Sequence, residues 1–213
     1  MPKLSVVVTV DSDIAYQSID GQNLLTTALI AANNFCQETS LPNKLYLAAD
    51  NLDKAREATQ NLTFEFGEIS CRVGDPKELA KAVRDLDFEM IAIHDAQRPL
   101  TSSKQFHRTL EGLFGCDAVR PTMAFTETLK AVNEDSELTY TIDRTSMRRV
   151  SSPEIMRRSV IDFSGIHSNW SMPLISETRF SEVEADPESV RINSADEITL
   201  MEALLNWQQK IVN

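Results

Sequence analysis

Apolar runs alternate with segments of helical spacing along the first 120 residues. Apolar residues of Asn23–Cys36 recur every three or four positions, which predicts an amphipathic helix. Short apolar or β-branched runs, one before this helix and three after it, predict four strands: Leu4–Val10, Lys44–Ala49, Glu68–Val73 and Met90–Ile93. This alternation indicates right-handed crossovers, and so a doubly wound α/β fold with a mainly parallel sheet.

Helix-start signals and the spacing of apolar residues predict further helices and strands. Asp75-Pro76 with Glu78 is typical of a helix start, and Ser194–Glu197 forms a capping box. Apolar spacing predicts the helices Leu52–Asn61, Ser103–Phe114, Pro153–Ile161 and Ile198–Ile211, and strands near Asp117–Arg120 and at Val190–Ile192. Ser164–Met172 carries no clear pattern.

The pattern changes at about Phe125. Thr126–Val132 and Leu138–Ile142 have strand character, and the polar turn cluster Asn133–Ser136 separates them. This predicts a β-hairpin inserted into the α/β fold. Because a two-stranded ribbon is marginally stable alone, we expect residues 125–150 to lie against a second copy of the chain.

Composition narrows the class of protein. A chain of 213 residues with 42% apolar residues can bury a sizeable core as one globular domain. The sequence lacks a membrane-length apolar run and a basic, then apolar, signal pattern at the N-terminus. Three widely spaced cysteines favour unpaired thiols and a cytoplasmic location: Cys36, Cys71 and Cys116. The three histidines lack metal-ligand spacing: His94, His107 and His167.

Charge is unevenly distributed. The net charge of −11 argues against general binding to nucleic acid and gives no indication of a membrane surface. The segment Arg144–Arg158 nevertheless contains five arginines and one acid, Glu154. Such a segment is either a solvated surface or a phosphate site, because the guanidinium fork matches phosphate oxygens.

The strand Met90–Ile93 runs directly into a polar turn that contains His94, Asp95 and Arg98 and stops at Pro99. In open α/β sheets, ligands bind beyond the carboxyl ends of the strands. A carboxylate at Asp95 is therefore well placed to hold a metal ion or a sugar hydroxyl. The alternative is that Asp95 caps the following segment or pairs with Arg98.

Several blocks, in order, resemble the 2-C-methyl-D-erythritol 4-phosphate cytidylyltransferase family of the non-mevalonate isoprenoid pathway. His94-Asp-Ala-Gln-Arg-Pro99 resembles its His-Asp-Ala-Ala-Arg-Pro turn, and Thr126-Glu-Thr-Leu-Lys130 resembles its Thr-Asp-Thr-[Ile/Met]-Lys segment. Tyr140–Arg144 is similar to a Thr-x-Asp-Arg block, and Glu184–Asn193 to Glu-Gly-Asp-Pro-x-Asn-Ile-Lys-Ile-Thr. Gly74-Asp75 takes the place of a glycine-rich block.

The resemblance implies a Rossmann-like nucleotidyltransferase domain over residues 1–213, with 125–150 as an arm that joins a homodimer. It also implies transfer of CMP from CTP to the phosphate of methylerythritol phosphate, with Mg²⁺ and release of pyrophosphate. The implied catalytic residues are Asp95, which also holds the metal, Lys130 and Arg144. Implied substrate-binding residues are Thr128, Arg191 and Arg98, and implied nucleotide-binding residues are Gly74, Asp75 and His94. The arm residues would serve the partner's substrate.

The segment after the first strand departs from the family, which has a glycine-rich, cationic loop there. Residues 9–15 contain no glycine, arginine or lysine, and they add the carboxylates of Asp11 and Asp13. Because such donors stabilise a triphosphate, their absence predicts weak CTP binding. Two interpretations stay open: a divergent nucleotidyltransferase, or a non-catalytic dimeric paralogue that binds a sugar phosphate, a nucleotide or a protein.

Overall fold

An eight-stranded sheet lies at the centre of the structure, a computed structural model that describes residues 1–166 and 168–212, with side chains as far as residue 207. His167, one of the three histidines without metal-ligand spacing, lies outside the described residues. The helices are α1 (Leu24–Glu38), α2 (Leu52–Thr59), α3 (Pro76–Val83), α4 (Ser103–Gly112) and α5 (Ala195–Val212). The strands are β1 (Leu4–Val10), β2 (Ser18–Ile19), β3 (Gln22–Asn23), β4 (Asn43–Ala49), β5 (Gly67–Ser70), β6 (Met90–Asp95), β7 (Ala118–Ala124), β8 (Leu129–Val132), β9 (Leu138–Ile142), β10 (Arg148–Val150), β11 (Glu154–Arg157) and β12 (Phe180–Glu184).

The order of the strands confirms the doubly wound α/β fold. One half of the sheet is parallel, in the order β5-β4-β1-β6. The chain builds outward from β1 through β4 to β5, and then returns to place β6 on the other side of β1. A topological switch therefore lies between β1 and β6, and in such sheets the ligand crevice opens there.

The other half of the sheet is mixed. Strand β11 lies antiparallel between β6 and β7, and β12 runs parallel to β7. Strand β10 pairs with the distal part of β7 and β11 with its start, so the two follow one another along β7. Residues 151–153 interrupt this pairing, and their side chains are consequently available at the carboxyl end of β6.

Strand β1 is buried along its whole length, and its side chains alternate between two apolar layers. Val6, Val8 and Val10 pack with residues of α1, α2 and α4, including Phe35. Val7 packs on the opposite face with residues of α3 and of the segment that contains Trp170. A β-branched run buried on both faces is what a central parallel strand requires.

Side-chain caps fix where the helices start. The carboxylate of Asp75 accepts a hydrogen bond from the Lys77 backbone N–H at 3.0 Å, with Pro76 at the first helical position, as the sequence predicts. The hydroxyl of Ser194 accepts from the Glu197 N–H at 3.2 Å at the start of α5. Among the described residues, no helix is both long and apolar enough to span a membrane.

Two expectations for the last third of the chain are wrong, and one strand there was not predicted. Pro153–Ile161 is not a helix, because Glu154–Arg157 pairs on both sides as β11 and a 3₁₀ turn follows. Val190–Ile192 is not a strand, because the Ile192 N–H donates to the Gln97 carbonyl at 2.8 Å rather than to a strand. Strand β12 was not predicted, because Phe180–Glu184 contains only two apolar residues, Phe180 and Val183, and so lacks an apolar run.

The predicted hairpin is present as β8 and β9, with Leu129 opposite Ile142. Its exposed apolar side chains include Val132, Leu138 and Tyr140, which are between 57% and 73% exposed. Residues Arg148–Val150 belong to the main sheet as β10 rather than to the free ribbon.

The segment after β1 forms a compact turn instead of a long loop. A 3₁₀ turn, Asp13–Tyr16, leads into the two-residue strands β2 and β3. Asp20 and Gly21 join these strands with φ values of +51° and +78°, the left-handed region that glycine adopts readily. Ile19 then packs against Ile198 and Met201 of α5. The turn is thus fixed to the C-terminal part of the chain.

Candidate functional site

A cavity of about 350 Å³ opens where β1 and β6 end, at the topological switch. Its lining combines carboxylates, arginines and hydroxyls with a few apolar side chains. Polar lining residues include Thr9, Asp11, Asp95, Arg98, Ser151, Ser152, Glu154, Ser171 and Arg191, together with Gly74. The lining residues include parts of β1 and β6, the residues between β10 and β11, and the segment before α5. The fold therefore assembles this cavity from distant parts of the sequence.

Asp95 is the last residue of β6, and its carboxylate is held at both oxygens. Oδ1 accepts from the Gln97 backbone N–H at 2.9 Å, and Oδ2 accepts from Arg191 Nε at 2.7 Å. Its own N–H donates to Ser152 Oγ at 3.2 Å. The predicted alternative holds only in part, because Asp95 stabilises its own turn and lies near Arg98, whereas Ser102 caps α4. The carboxylate also lines the cavity, where its role in holding a metal ion or a sugar hydroxyl stays a prediction.

Arg191 approaches Asp95 from the segment between β12 and α5. Its Nη2 atom donates to Gln97 Oε1 at 2.7 Å and to Asp11 Oδ2 at 3.3 Å. Its Nη1 atom donates to Asn193 Oδ1 at 2.6 Å. The guanidinium therefore joins the ends of β1 and β6.

Arg98 lies on the other side of Asp95, with 3.9 Å between Nε and Asp95 Oδ2. Its Nη1 and Nη2 atoms donate to the carbonyls of Ser189 and Val150 at 2.7 and 2.9 Å. Burial is the main cause that lowers the pKa of this guanidinium, and Asp95 opposes the shift. Arg98 thereby connects the central turn with the base of the hairpin arm.

His94 lies behind the cavity, with its side chain fully buried. Its Nδ1 atom is 2.8 Å from Ser152 Oγ, and its ring packs at 4.9 Å from the ring of Phe106. Burial lowers the pKa of His94 to about 4, so the imidazole is neutral at pH 7. The structure thus places His94 under Ser152 rather than at the cavity surface, and its predicted contact with a nucleotide has no exposed atom to make it.

Gly74 lines the cavity, and Asp75 follows it as the cap of α3. A Cβ atom at Gly74 would overlap Oδ1 of Asp11, so the glycine leaves room for that carboxylate. Asp75 lines a neighbouring groove of about 360 Å³ with Asp11 and Arg72. The two predicted nucleotide-binding residues of this block therefore lie at or beside the switch point.

The predicted arm residues do not line this cavity within the chain. Lys130 Nζ donates to Thr141 Oγ1 at 2.7 Å across the hairpin, and Arg144 donates to the Thr126 carbonyl. Lys130, Arg144 and Thr128 are all exposed. These residues therefore lie on the exposed hairpin and outside the lining of this cavity.

The arginines of the segment Arg144–Arg158 differ in their partners, which are backbone carbonyls for some and a carboxylate for another. Arg157 donates to the carbonyls of Cys116 and Leu113 at 3.1 and 3.3 Å, and Arg158 donates to that of Leu86 at 3.0 Å. These two arginines bind the backbone and are not part of the cavity lining. Arg148 pairs with Glu182 at 3.3 Å.

Three lining or supporting residues were not found from sequence: Gln97, Ser152 and Glu154. Gln97 is 1% exposed, and its amide donates to the Ile192 carbonyl at 2.6 Å while its oxygen accepts from Arg191. Glu154 pairs with Arg120 at 2.9 Å, and burial raises the pKa of its carboxyl against the opposing effect of Arg120. Gln97 lies two residues after Asp95 in the sequence, and this proximity was the one sequence signal that could have pointed to it.

The donor set fits a magnesium ion bound together with a phosphate ligand. Asp95 and Asp11 present carboxylate oxygens to the cavity, and Mg²⁺ is usually held by one or two carboxylates plus substrate phosphates. Within the described part of the chain there is no group of three or more metal-ligating side chains that could hold an ion. Asp11 and Asp95 would be the residues that hold such an ion, with phosphate oxygens as its further ligands.

The fold and this site define an α/β protein of the nucleotidyltransferase type. A family model described as "IspD: 2-C-methyl-D-erythritol 4-phosphate cytidylyltransferase" matches residues 8–171, most of the chain. The chain belongs to the IspD family.

Individual proteins that are similar in sequence to this chain bear the name of the same family. The chain is 26% identical over 204 residues to the 2-C-methyl-D-erythritol 4-phosphate cytidylyltransferase of Rhodococcus jostii (strain RHA1), covering 90% of this chain and 86% of that protein. It is 24% identical over 131 residues to the chloroplastic enzyme of that name from Oryza sativa subsp. japonica, spanning 57% of this chain and 44% of the rice protein.

Solved structures show the same fold. The 4-diphosphocytidyl-2C-methyl-D-erythritol synthase of Anaerococcus prevotii DSM 20548 superposes with a TM-score of 0.78 at 15% identity, covering 96% of this chain and 99% of that one. The 2-C-methyl-D-erythritol 4-phosphate cytidylyltransferase of Thermus thermophilus gives 0.69 at 16% identity, covering 93% and 98%.

Proposed function

We propose that the protein transfers CMP from CTP to the phosphate of 2-C-methyl-D-erythritol 4-phosphate and releases pyrophosphate. The observation that carries this proposal is the grouping of Asp95 with Arg98 and Arg191 in one cavity at the topological switch. Arg191 lies 2.7 Å from the Asp95 carboxylate, and Arg98 lies 3.9 Å from it. A carboxylate between two guanidinium groups suits a metal-bound phosphate chain.

In the proposed reaction, a phosphate oxygen of the sugar attacks the α-phosphorus of CTP, and the bond from that phosphorus to the β-phosphate oxygen breaks. Phosphoryl transfer needs positioning and charge stabilisation more than covalent help from the protein. Arg98 and Arg191 would attract and orient phosphate oxygens through their charge and through the N–H donors that their protein partners leave free. Gly74 and Asp75 would border the nucleotide, and His94 would support this surface through Ser152.

Asp95, helped by Asp11, would hold a Mg²⁺ ion that arrives with the nucleotide. When bound, such an ion would offset the negative charge of the phosphates and the charge that develops in the reaction. The chain's own contribution is to fix Asp95, which it does through the Gln97 N–H at 2.9 Å. Preorganised groups of this kind need no rearrangement when the substrate binds.

The proposal includes a homodimer in which the arm of one subunit completes the partner's site. Lys130, Thr128 and Arg144 are exposed on the hairpin, and the same hairpin exposes Leu138 and Tyr140. Exposed apolar side chains on a thin ribbon favour burial against another chain. In the dimer, the arm cations would bind the sugar phosphate, and Asp95, Arg191, Lys130 and Arg144 would converge on one anion site.

A cytoplasmic location is part of the proposal. Its support is the three free cysteines, of which Cys36 and Cys71 are partly buried and Cys116 is buried. Unpaired thiols of this kind are typical of a reducing compartment.

A single-turnover assay with CTP, Mg²⁺ and methylerythritol phosphate, read by pyrophosphate release, tests the proposal. We expect release by the wild type and a loss of about 10²-fold or more in Asp95→Asn. Asp53→Asn is the matched control, because Asp53 is 93% exposed on α2 and pairs with Arg56. Binding of CTP or the sugar phosphate without release would favour the non-catalytic paralogue. Absence of both binding and release would reject the proposed reaction and would leave only a paralogue that binds a protein partner.

A further inference from the structure

The side chain of Asp11 lies at the cavity between Arg191 and Gly74. Its Oδ2 atom accepts from Arg191 Nη2 at 3.3 Å. Its Oδ1 atom occupies the space that a Cβ atom at position 74 would need. Asp11 therefore lies in the part of the cavity where Arg191 would meet a phosphate.

Arg191 has little free hydrogen-bonding capacity in this arrangement. A guanidinium has five N–H donors, and four of them are used by Asp95, Gln97, Asn193 and Asp11. The first three distances are 2.6 to 2.7 Å, whereas the distance to Asp11 is 3.3 Å. The Asp11 side chain is also 47% exposed, while that of Asp95 is 22% exposed. An incoming anion would thus displace Asp11 before the other acceptors.

We propose that Asp11 determines the anion specificity of this site by competing with phosphate for Arg191. This inference rests on the proposed function, because it requires phosphate groups in the cavity. A carboxylate beside the cavity repels a polyphosphate more than a monophosphate, since the repulsion grows with the charge of the ligand. Asp11 therefore selects against long phosphate chains that arrive without a metal ion.

Isothermal titration calorimetry on the full chain tests this role with inorganic pyrophosphate in EDTA, and separately with CTP and Mg²⁺. Asp11→Asn keeps the shape of the side chain and removes its charge. Asp13→Asn is the matched control: it makes the same charge change two residues away, where Asp13 is 85% exposed and pairs with Lys54 at 2.6 Å. Thermal unfolding of each variant checks that it is folded.

We expect Asp11→Asn to bind pyrophosphate about tenfold more tightly than the wild type, which corresponds to about 1.4 kcal/mol. Asp13→Asn should stay within about twofold of the wild type. Equal or weaker binding by Asp11→Asn, with measurable binding by the wild type, would overturn the role of Asp11 and leave the proposed function intact. Failure of all three proteins to bind either anion would overturn the proposed function and this inference with it.

Discussion

Replacement of the buried His94 should remove a defined part of the acid sensitivity of this protein. The imidazole has no exposed surface, and burial lowers its pKa from 6.5 to about 4. In the unfolded chain the group binds its proton near pH 6.5, whereas the folded state resists protonation down to about pH 4. The unfolded state therefore gains protons first, and the free energy of unfolding falls as the pH falls through this window.

The size of the effect follows from the two pKa values. Lowering the pKa from 6.5 to about 4 corresponds to about 3 kcal/mol, most of which is lost between pH 7 and about pH 4.5. His94→Asn removes the titrating group and keeps a polar atom near Ser152, which lies 2.8 Å from Nδ1. The variant should therefore lose about 2–3 kcal/mol less than the wild type over the same pH range.

Urea unfolding at several pH values measures this difference, since carboxylates that titrate in both proteins cancel when the two profiles are subtracted. His107→Gln is the control, because the His107 side chain is 33% exposed and lies 3.1 Å from Glu38. Parallel pH profiles for the wild type and His94→Asn would refute the reasoning. An NMR titration in which His94 gains its proton near pH 6.5 would do so independently.

Three other changes have defined outcomes. Replacing Val132–Leu138 by a short turn should lower the dimer fraction seen by light scattering, and a wild type that is monomeric at micromolar concentration would reject the arm's role. Arg120→Met leaves the buried Glu154 without its cation at 2.9 Å, so urea unfolding should show a loss of about 3–5 kcal/mol; a loss below about 1 kcal/mol would contradict this. Grafting a glycine-rich, cationic loop between Val8 and Tyr16 should tighten CTP binding by about 10²–10⁴, because two charge-assisted contacts are added; unchanged calorimetric affinity would contradict the assignment of this loop.

The parallel half of the fold could be predicted from sequence because its signals are local. Leu4–Val10 is buried on both faces and forms a continuous apolar run, and Asp75 carries its own helix-start signature. The antiparallel half depends on partners elsewhere in the chain. Ile155, Met156 and Val160 have helical spacing, yet β6 and β7 offer a gap that only a strand fills. Tertiary pairing outweighed local pattern there.

The residues of the candidate site likewise fall into those that the sequence could identify and those that it could not. Asp95 could be found because it ends an obvious strand, and resemblance to the family pointed to Arg191. Gln97 and Ser152 act through hydrogen bonds to Arg191 and His94, and nothing in their own sequence neighbourhood specifies those partners. The close approach of Asp11 and Gly74 likewise depends on the fold, which brings the residue after β1 next to the loop between β5 and α3.

The distance in sequence between Asp11 and Arg191 also has a consequence for the order in which the parts of the site are synthesised. The two residues lie 180 positions apart, and Arg191 lies 96 positions from Asp95. A ribosome therefore releases β1, β6 and the arm well before the guanidinium that joins the ends of the central strands. Since a domain generally folds as a unit, Arg191 can join the carboxylates of Asp11 and Asp95 only after nearly the whole chain has been made. Ligand binding that depends on Arg191 then cannot assist the early steps and can only stabilise the finished molecule.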